Sequence, residues 1–135
     1  MIEPGRFCWL DLAATDAASA TRFYQQLFGW TSREQSANGG HFSWLQASGR
    51  DVGSLYQLSR ELVSRGAPSH WTPYVRVLDI DNTTRRACQL GGSVIVSPFE
   101  VSGVARIAVI ADAVGAQIGL WETVGQASQP ITDAR

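Results

Sequence analysis

The sequence predicts an α+β protein built from two tandem βαβββ modules. Two observations point there. First, two segments read alike: a strand-like run, an Asp, a helical stretch closing on Gly, then further strand candidates. The runs are Phe7 to Ala13 and Thr72 to Leu78, with Asp16 and Asp79 lying 63 positions apart, as do Gly29 and Gly92. Second, the ends match: Leu55-Tyr56-Gln57 stands against Leu120-Trp121-Glu122 at an offset of 65, so loops of the second segment hold two extra residues. The expected layout is one domain over 1–135. Module one covers about 7–58, a polar linker 59–69, and module two about 70–123.

The elements follow in order. The first helix carries Ala20, Phe23, Tyr24, Leu27 and Phe28 at i, i+3, i+4, i+7 and i+8, one apolar stripe. Asp16 is its expected N-cap and Gly29 its stop. Strands are expected at about Phe42 to Gln46 and Val52 to Leu58, with turns at Asn38-Gly39-Gly40 and Ser48-Gly49. In the second helix Ile80, Thr84, Ala87, Cys88 and Gly91 share a face, with Asp79 or Asp81 as cap. Strands follow at Ser93 to Val96, Arg106 to Ile110 and Ala116 to Trp121. The tail after Thr123 is polar and expected to fray.

Composition narrows the function classes. The 135 residues are 44% apolar, enough to build a core without metal or disulfide staples. Eleven basic residues face twelve acidic ones, so neither nucleic acid nor a membrane surface is an expected partner. All the basic residues are Arg, which excludes Schiff-base chemistry and a Walker-type phosphate loop. Cys8 and Cys88 read as buried small hydrophobes, and there is no Cys-x-x-Cys pair. No leader and no membrane span is expected, which places the protein in the cytoplasm. Five Trp are more than one core of this size needs, so some are expected to line a ligand site.

Strand alternation divides the side chains between two faces. Cys8, Leu10 and Leu12 form an apolar set that belongs under the helices, as do Pro73, Val75 and Val77. The opposite, open face then carries Trp9, Asp11, Ala13, Thr72, Tyr74 and Arg76, with Ser54, Tyr56, Gly119 and Trp121 from the closing strands. Its aromatics either wall a ligand site or fill the interior of the sheet. Asp11 and Arg76 either orient a ligand or pair with each other. Asp11 with His70 is a further candidate, for acid–base work.

These residues also resemble a family. Cys8 through Asp16, followed by Phe23-Tyr24-Gln25-Gln26-Leu27-Phe28-Gly29-Trp30, resembles the opening of a vicinal oxygen chelate domain. That superfamily includes glyoxalase I, bleomycin-resistance proteins, fosfomycin-resistance enzymes and extradiol dioxygenases. His70 through Val75, Leu90-Gly91-Gly92, Asp112 through Ala116 and Gly119-Leu120-Trp121-Glu122 resemble its second module. The resemblance implies a cupped eight-stranded mixed sheet with helices on the outer face, often in a homodimer. Family enzymes hold a metal from four strand positions, which fall here on Trp9, Ser54, Thr72 and Gly119. These are poor donors, and a divalent site needs about three or more His, Asp, Glu or Cys.

The expectation is therefore a metal-free, cofactor-free cup for a small apolar or aromatic molecule, cationic ones included. Its contacts are Trp9, Asp11, Tyr56, Thr72, Tyr74, Arg76 and Trp121, and no catalytic residue is assigned. The alternative is a metal-dependent lyase or dioxygenase with a displaced site recruiting Asp11, His41 or His70. A third possibility is a structural dimer without a ligand. The expected partners are the small molecule and a second copy of the chain.

Overall fold

A computed structural model describes residues 2–37 and 40–124. Its elements run β1 (Phe7–Ala14), α1 (Ala17–Phe28), β2 (Thr31–Ala37), β3 (Gly40–Ala47), β4 (Arg50–Gln57), α2 (Arg60–Ser64), β5 (His70–Arg76), α3 (Ile80–Gln89), β6 (Ser93–Val101), β7 (Ala105–Ala111) and β8 (Gln117–Thr123). The fold is α+β, with two βαβββ modules whose strands are hydrogen-bonded in the order β2-β3-β4-β1-β5-β8-β7-β6, an eight-stranded mixed sheet. By contact density the chain forms two compact units that exchange within β1, at Trp9/Leu10, and within β5, at Thr72/Pro73.

In the unit Leu10–Thr72, β1 pairs β4 in parallel, while β2, β3 and β4 form an antiparallel meander. A parallel pair needs a crossover, and α1 begins it. The core is Leu12, Ala14, Leu45 and Leu55, packed by Ala17, Ala20, Tyr24, Trp30 and Val52. Asp16 caps α1 by accepting from the Ser19 amide at 3.0 Å, and Gly29 ends it in the left-handed region at φ 76°. Ser48 and Gly49 both take positive φ, the two-residue hairpin turn that joins Ala47 to Arg50.

The other unit repeats this plan. β5 pairs β8 in parallel, and β6, β7 and β8 are antiparallel. Its core is Ile80, Ala108, Ile110 and Leu120, packed by Val77, Ala87 and Ile118. The registers carry the same offsets as the sequence. Asp11, Leu12 and Ala13 oppose Ser54, Leu55 and Tyr56, as Tyr74, Val75 and Arg76 oppose Gly119, Leu120 and Trp121.

Helix capping repeats as well. Asp79 accepts from the Asn82 amide at 3.0 Å, so it, not Asp81, is the N-cap of α3. The Ala17 amide donates to Gln57 Oε1 at 2.8 Å, and the Ile80 amide donates to Glu122 Oε1 at 2.8 Å. Each closing strand thus satisfies an otherwise orphaned amide in the first turn of its module's helix.

Several expectations are corrected. Cys88 is exposed on α3, whereas Cys8 is buried as expected. Leu10 is 42% exposed, because the helix-side contacts of β1 fall on Leu12 and Ala14. Of the α1 stripe only Ala20 and Tyr24 reach the core, leaving Phe23, Leu27 and Phe28 57–58% exposed. β2, with the polar sequence TSREQSA, is an added strand that no apolar alternation of its own marks. Linker 59–69 contains the short helix α2, capped by Ser59. β6 runs on to Val101, past Pro98, with register irregularities that accommodate a residue lacking an amide donor. Asn38, Gly39 and the tail after Val124 lie outside the described residues.

Candidate functional site

Within the unit Leu10–Thr72, the face opposite the helix carries a cross-strand row. Arg33 opposes Trp44, Trp44 opposes Ser54, and Ser54 opposes Asp11. A second row runs from Gln35 through Phe42 and Tyr56 to Ala13. Side-chain contacts confirm that the rows share one face. The Ser54 hydroxyl donates to Asp11 Oδ1 at 2.7 Å. Trp44 Nε1 donates to Gln35 Oε1, and the Arg33 guanidinium lies 5.7 Å from the Trp44 ring centroid. Phe42 meets Trp44 edge-on at 5.2 Å. The three strands of the meander therefore carry six aromatic or polar side chains in two rows that end on β1 at Asp11 and Ala13.

Asp11 is the electrostatic centre of this face. Burial pushes its carboxyl from 3.8 up to about 6, against the lowering effects of the Ser54 hydrogen bond and of His70. Tyr56 is raised too, first by burial and then by the Asp11 charge. His70 Nδ1 lies 3.0 Å from the Pro68 carbonyl. A carbonyl only accepts, so Nδ1 holds the proton and Nε2 is the basic nitrogen. His41, by contrast, takes the other parity of β3, is exposed, and meets Ser36 across the hairpin at 3.2 Å. Thr72 is buried. Asp11, Ser54, Tyr56 and His70 are thus brought together electrostatically, and His41 is not among them.

In the other unit, Trp9, Tyr74 and Trp121 are 3%, 4% and 6% exposed. The Trp9 and Trp121 centroids are 5.5 Å apart, and Tyr74 meets Trp121 edge-on at 6.4 Å. Gly119, opposite Tyr74, has no space for a side chain, because the Tyr74 ring occupies the place a Cβ would take. Arg76 donates from Nη1 to the Ile2 carbonyl at 2.6 Å, and its buried Nε has no hydrogen-bond partner. Beside it, burial pushes the Cys8 thiol up to about 12, so this cysteine is an inert hydrophobe.

The four positions where family enzymes hold metal do not suit one. Trp9 is packed on Trp121, Ser54 donates to Asp11, Thr72 offers one buried hydroxyl, and the room beside Gly119 is filled by a phenol ring. Among the described residues no three His, Cys, Asp or Glu side chains gather as a metal would require. Sequence reasoning missed Arg33, Gln35, Phe42 and Trp44 as part of the open face. The signal was present in β3: once Leu45 is assigned to the core, Phe42 and Trp44 must point the other way.

The profile of the glyoxalase-like domain matches residues 9–120. The chain belongs to this family, within the vicinal oxygen chelate superfamily. Among its relatives, the anthracycline biosynthesis protein DnrV of Streptomyces peucetius is 34% identical over 129 residues, covering 87% of this chain and 47% of that protein. The anthracycline biosynthesis protein DauV of Streptomyces sp. strain C5 matches with the same identity and coverage. This chain therefore spans about half the length of either relative. The crystal structure of methylmalonyl-CoA epimerase from Mycobacterium tuberculosis shares the fold, with a TM-score of 0.65 and 21% identity over 93% of this chain and 94% of that one. No helix among the described residues is long and apolar enough to cross a membrane.

Proposed function

We propose that this chain is a small-molecule-binding member of the glyoxalase-like family that takes an apolar or aromatic ligand without a metal. The observation that carries this reading is the replacement of ligating side chains by rings. Trp9 stands at one such position, and the Tyr74 ring fills the space beside Gly119 at another. The contacts proposed for the unit Leu10–Thr72 are Asp11, Tyr56 and Thr72, joined by Phe42 and Trp44. Those of the other unit are Trp9, Tyr74, Arg76 and Trp121. The names of DnrV and DauV place those proteins in anthracycline biosynthesis, which makes an anthracycline-type aromatic the first ligand to try. Broad rings give large contact area at little cost in rotamer freedom.

Titration of the intrinsic tryptophan fluorescence with planar aromatic compounds tests the reading. Saturable quenching in the presence of a chelator is expected, weakened by roughly 1–3 kcal/mol in Tyr56→Ala, the usual effect of removing a side chain that a ligand buries. Absence of saturation, or binding only after a divalent metal is added, would overturn it. The second outcome would favour the metal-dependent lyase or dioxygenase instead.

The proposal includes a homodimer. Phe23, Leu27, Phe28 and Leu78 are large apolar side chains left exposed, more than scattered surface residues account for. It also places the protein in the cytoplasm, supported by two cysteines that are both free.

A further inference from the structure

Resting on that binding reading, we propose that the ligand carries a protonated amine and that Asp11 is its counter-ion. The argument starts from what Asp11 lacks. An ionised carboxylate offers about four acceptor sites. Among the described residues, one side chain donates to it, the Ser54 hydroxyl at 2.7 Å. Its ionic neighbour is His70, whose Nδ1 is engaged with Pro68, and among the described residues no guanidinium pairs with it. Arg33, on the same face of this unit, is held over the Trp44 ring at the far end of the row. A half-buried charge with one hydrogen bond is costly, and an isolated acceptor does not require it.

A purely structural acceptor for Ser54 could be an asparagine, whose side-chain oxygen also accepts from a hydroxyl, though less strongly, and carries no charge. The charge, offset in part by His70, still has acceptor sites open to a further partner of opposite sign. That partner's surroundings are already set. Tyr56 lies close enough for the Asp11 charge to shift its phenol, and Phe42 and Trp44 continue the same two rows. Aromatic faces attract ammonium groups, and a carboxylate beside them adds a charge-assisted hydrogen bond. An anionic ligand meets repulsion at this place. A neutral hydroxyl adds no opposite charge.

The test uses three probes with one ring system: naphthylethylamine, naphthylethanol and naphthylpropionate, each titrated into the full chain at neutral pH by tryptophan fluorescence. The expected order is amine, then alcohol, then carboxylate, with the amine favoured over the alcohol about tenfold, the scale of a charge-assisted hydrogen bond. In Asp11→Asn the preference for amine over alcohol collapses to about threefold or less on the same scale, while binding of the alcohol persists. Equal or better binding of the alcohol by the wild-type chain overturns the amine and leaves the aromatic-binding reading standing. So does a preference that survives in a folded Asp11→Asn variant. Failure of all three probes to bind overturns both. The order measured on the wild-type chain decides the matter by itself if the variant does not fold.

Discussion

Asp11 keeps a charge that its surroundings only partly stabilise, and this has a consequence for folding. The folded carboxyl titrates near 6 against 3.8 unperturbed, with burial as the main cause. A raised folded value means that the native state holds the proton more tightly than the unfolded chain. The associated stability is fully present below about pH 4 and is lost as pH rises through about 6. By the usual conversion the loss is about 2–3 kcal/mol at neutral pH. Asp11→Asn is therefore expected to be more stable than the parent at pH 7.5, with the difference shrinking towards zero near pH 4. Urea melts at the two pH values measure this, and a variant less stable at pH 7.5 would contradict the account. The expected gain in stability means that position 11 trades stability for recognition, which is common at binding sites.

At the scale of the elements, the repeat governs both pairing and capping. Gln57 and Glu122 hold equivalent amides, those of Ala17 and Ile80, at the same 2.8 Å. Loss of such an acceptor leaves a helix-start amide unsatisfied and costs about 1 kcal/mol. Gln57→Ala and Glu122→Ala should each lower stability by that order. Gln57→Ala should cost more, since its Nε2 also donates to the Thr15 and Leu58 carbonyls. Equilibrium denaturation of the two variants checks the ranking. The parallel pair β5/β8 offers a second case. A Cβ at Gly119 would fall inside the Tyr74 ring, which meets Trp121 edge-on, so Gly119→Ala must displace that ring. Overpacking of this kind costs roughly 1–3 kcal/mol. A Gly119→Ala protein as stable as the parent would show that the ring moves freely.

For the molecule as a whole, the predictions concern its assembly and its metal content. The exposed rings of α1 motivate the expectation of a dimer, so sedimentation at micromolar concentration should give about twice the 14.7 kDa chain mass. A particle of single-chain mass alone would refute this. Elemental analysis of the purified protein should find no stoichiometric zinc, nickel, iron or manganese. The motive is the residue set Trp9, Ser54, Thr72 and Gly119, which supplies hydroxyls and a ring where donors are needed. One metal per chain, lost to chelator together with ligand binding, would reverse the reading.

What the amino acids alone revealed were features of short range or strict period. The 63- and 65-residue offsets reappear as strand register, because equivalent strands pair in equivalent ways. Asp16, Gly29 and Asp79 act as helix boundaries because capping depends on neighbours three or four residues away. Strand parity placed Trp9, Asp11, Tyr56, Tyr74 and Trp121 on faces opposite the helices. Other facts arose only from long-range packing. β2 has no pattern of its own and exists because β3 offers it a partner edge. Leu10 and Cys88 have apolar character but stay exposed, since burial depends on what lies opposite. Trp44 and Phe42 join Asp11 through register set by a meander, and the Asp11 carboxyl rises because tertiary contacts remove water from a group whose sequence neighbours say nothing of its solvation.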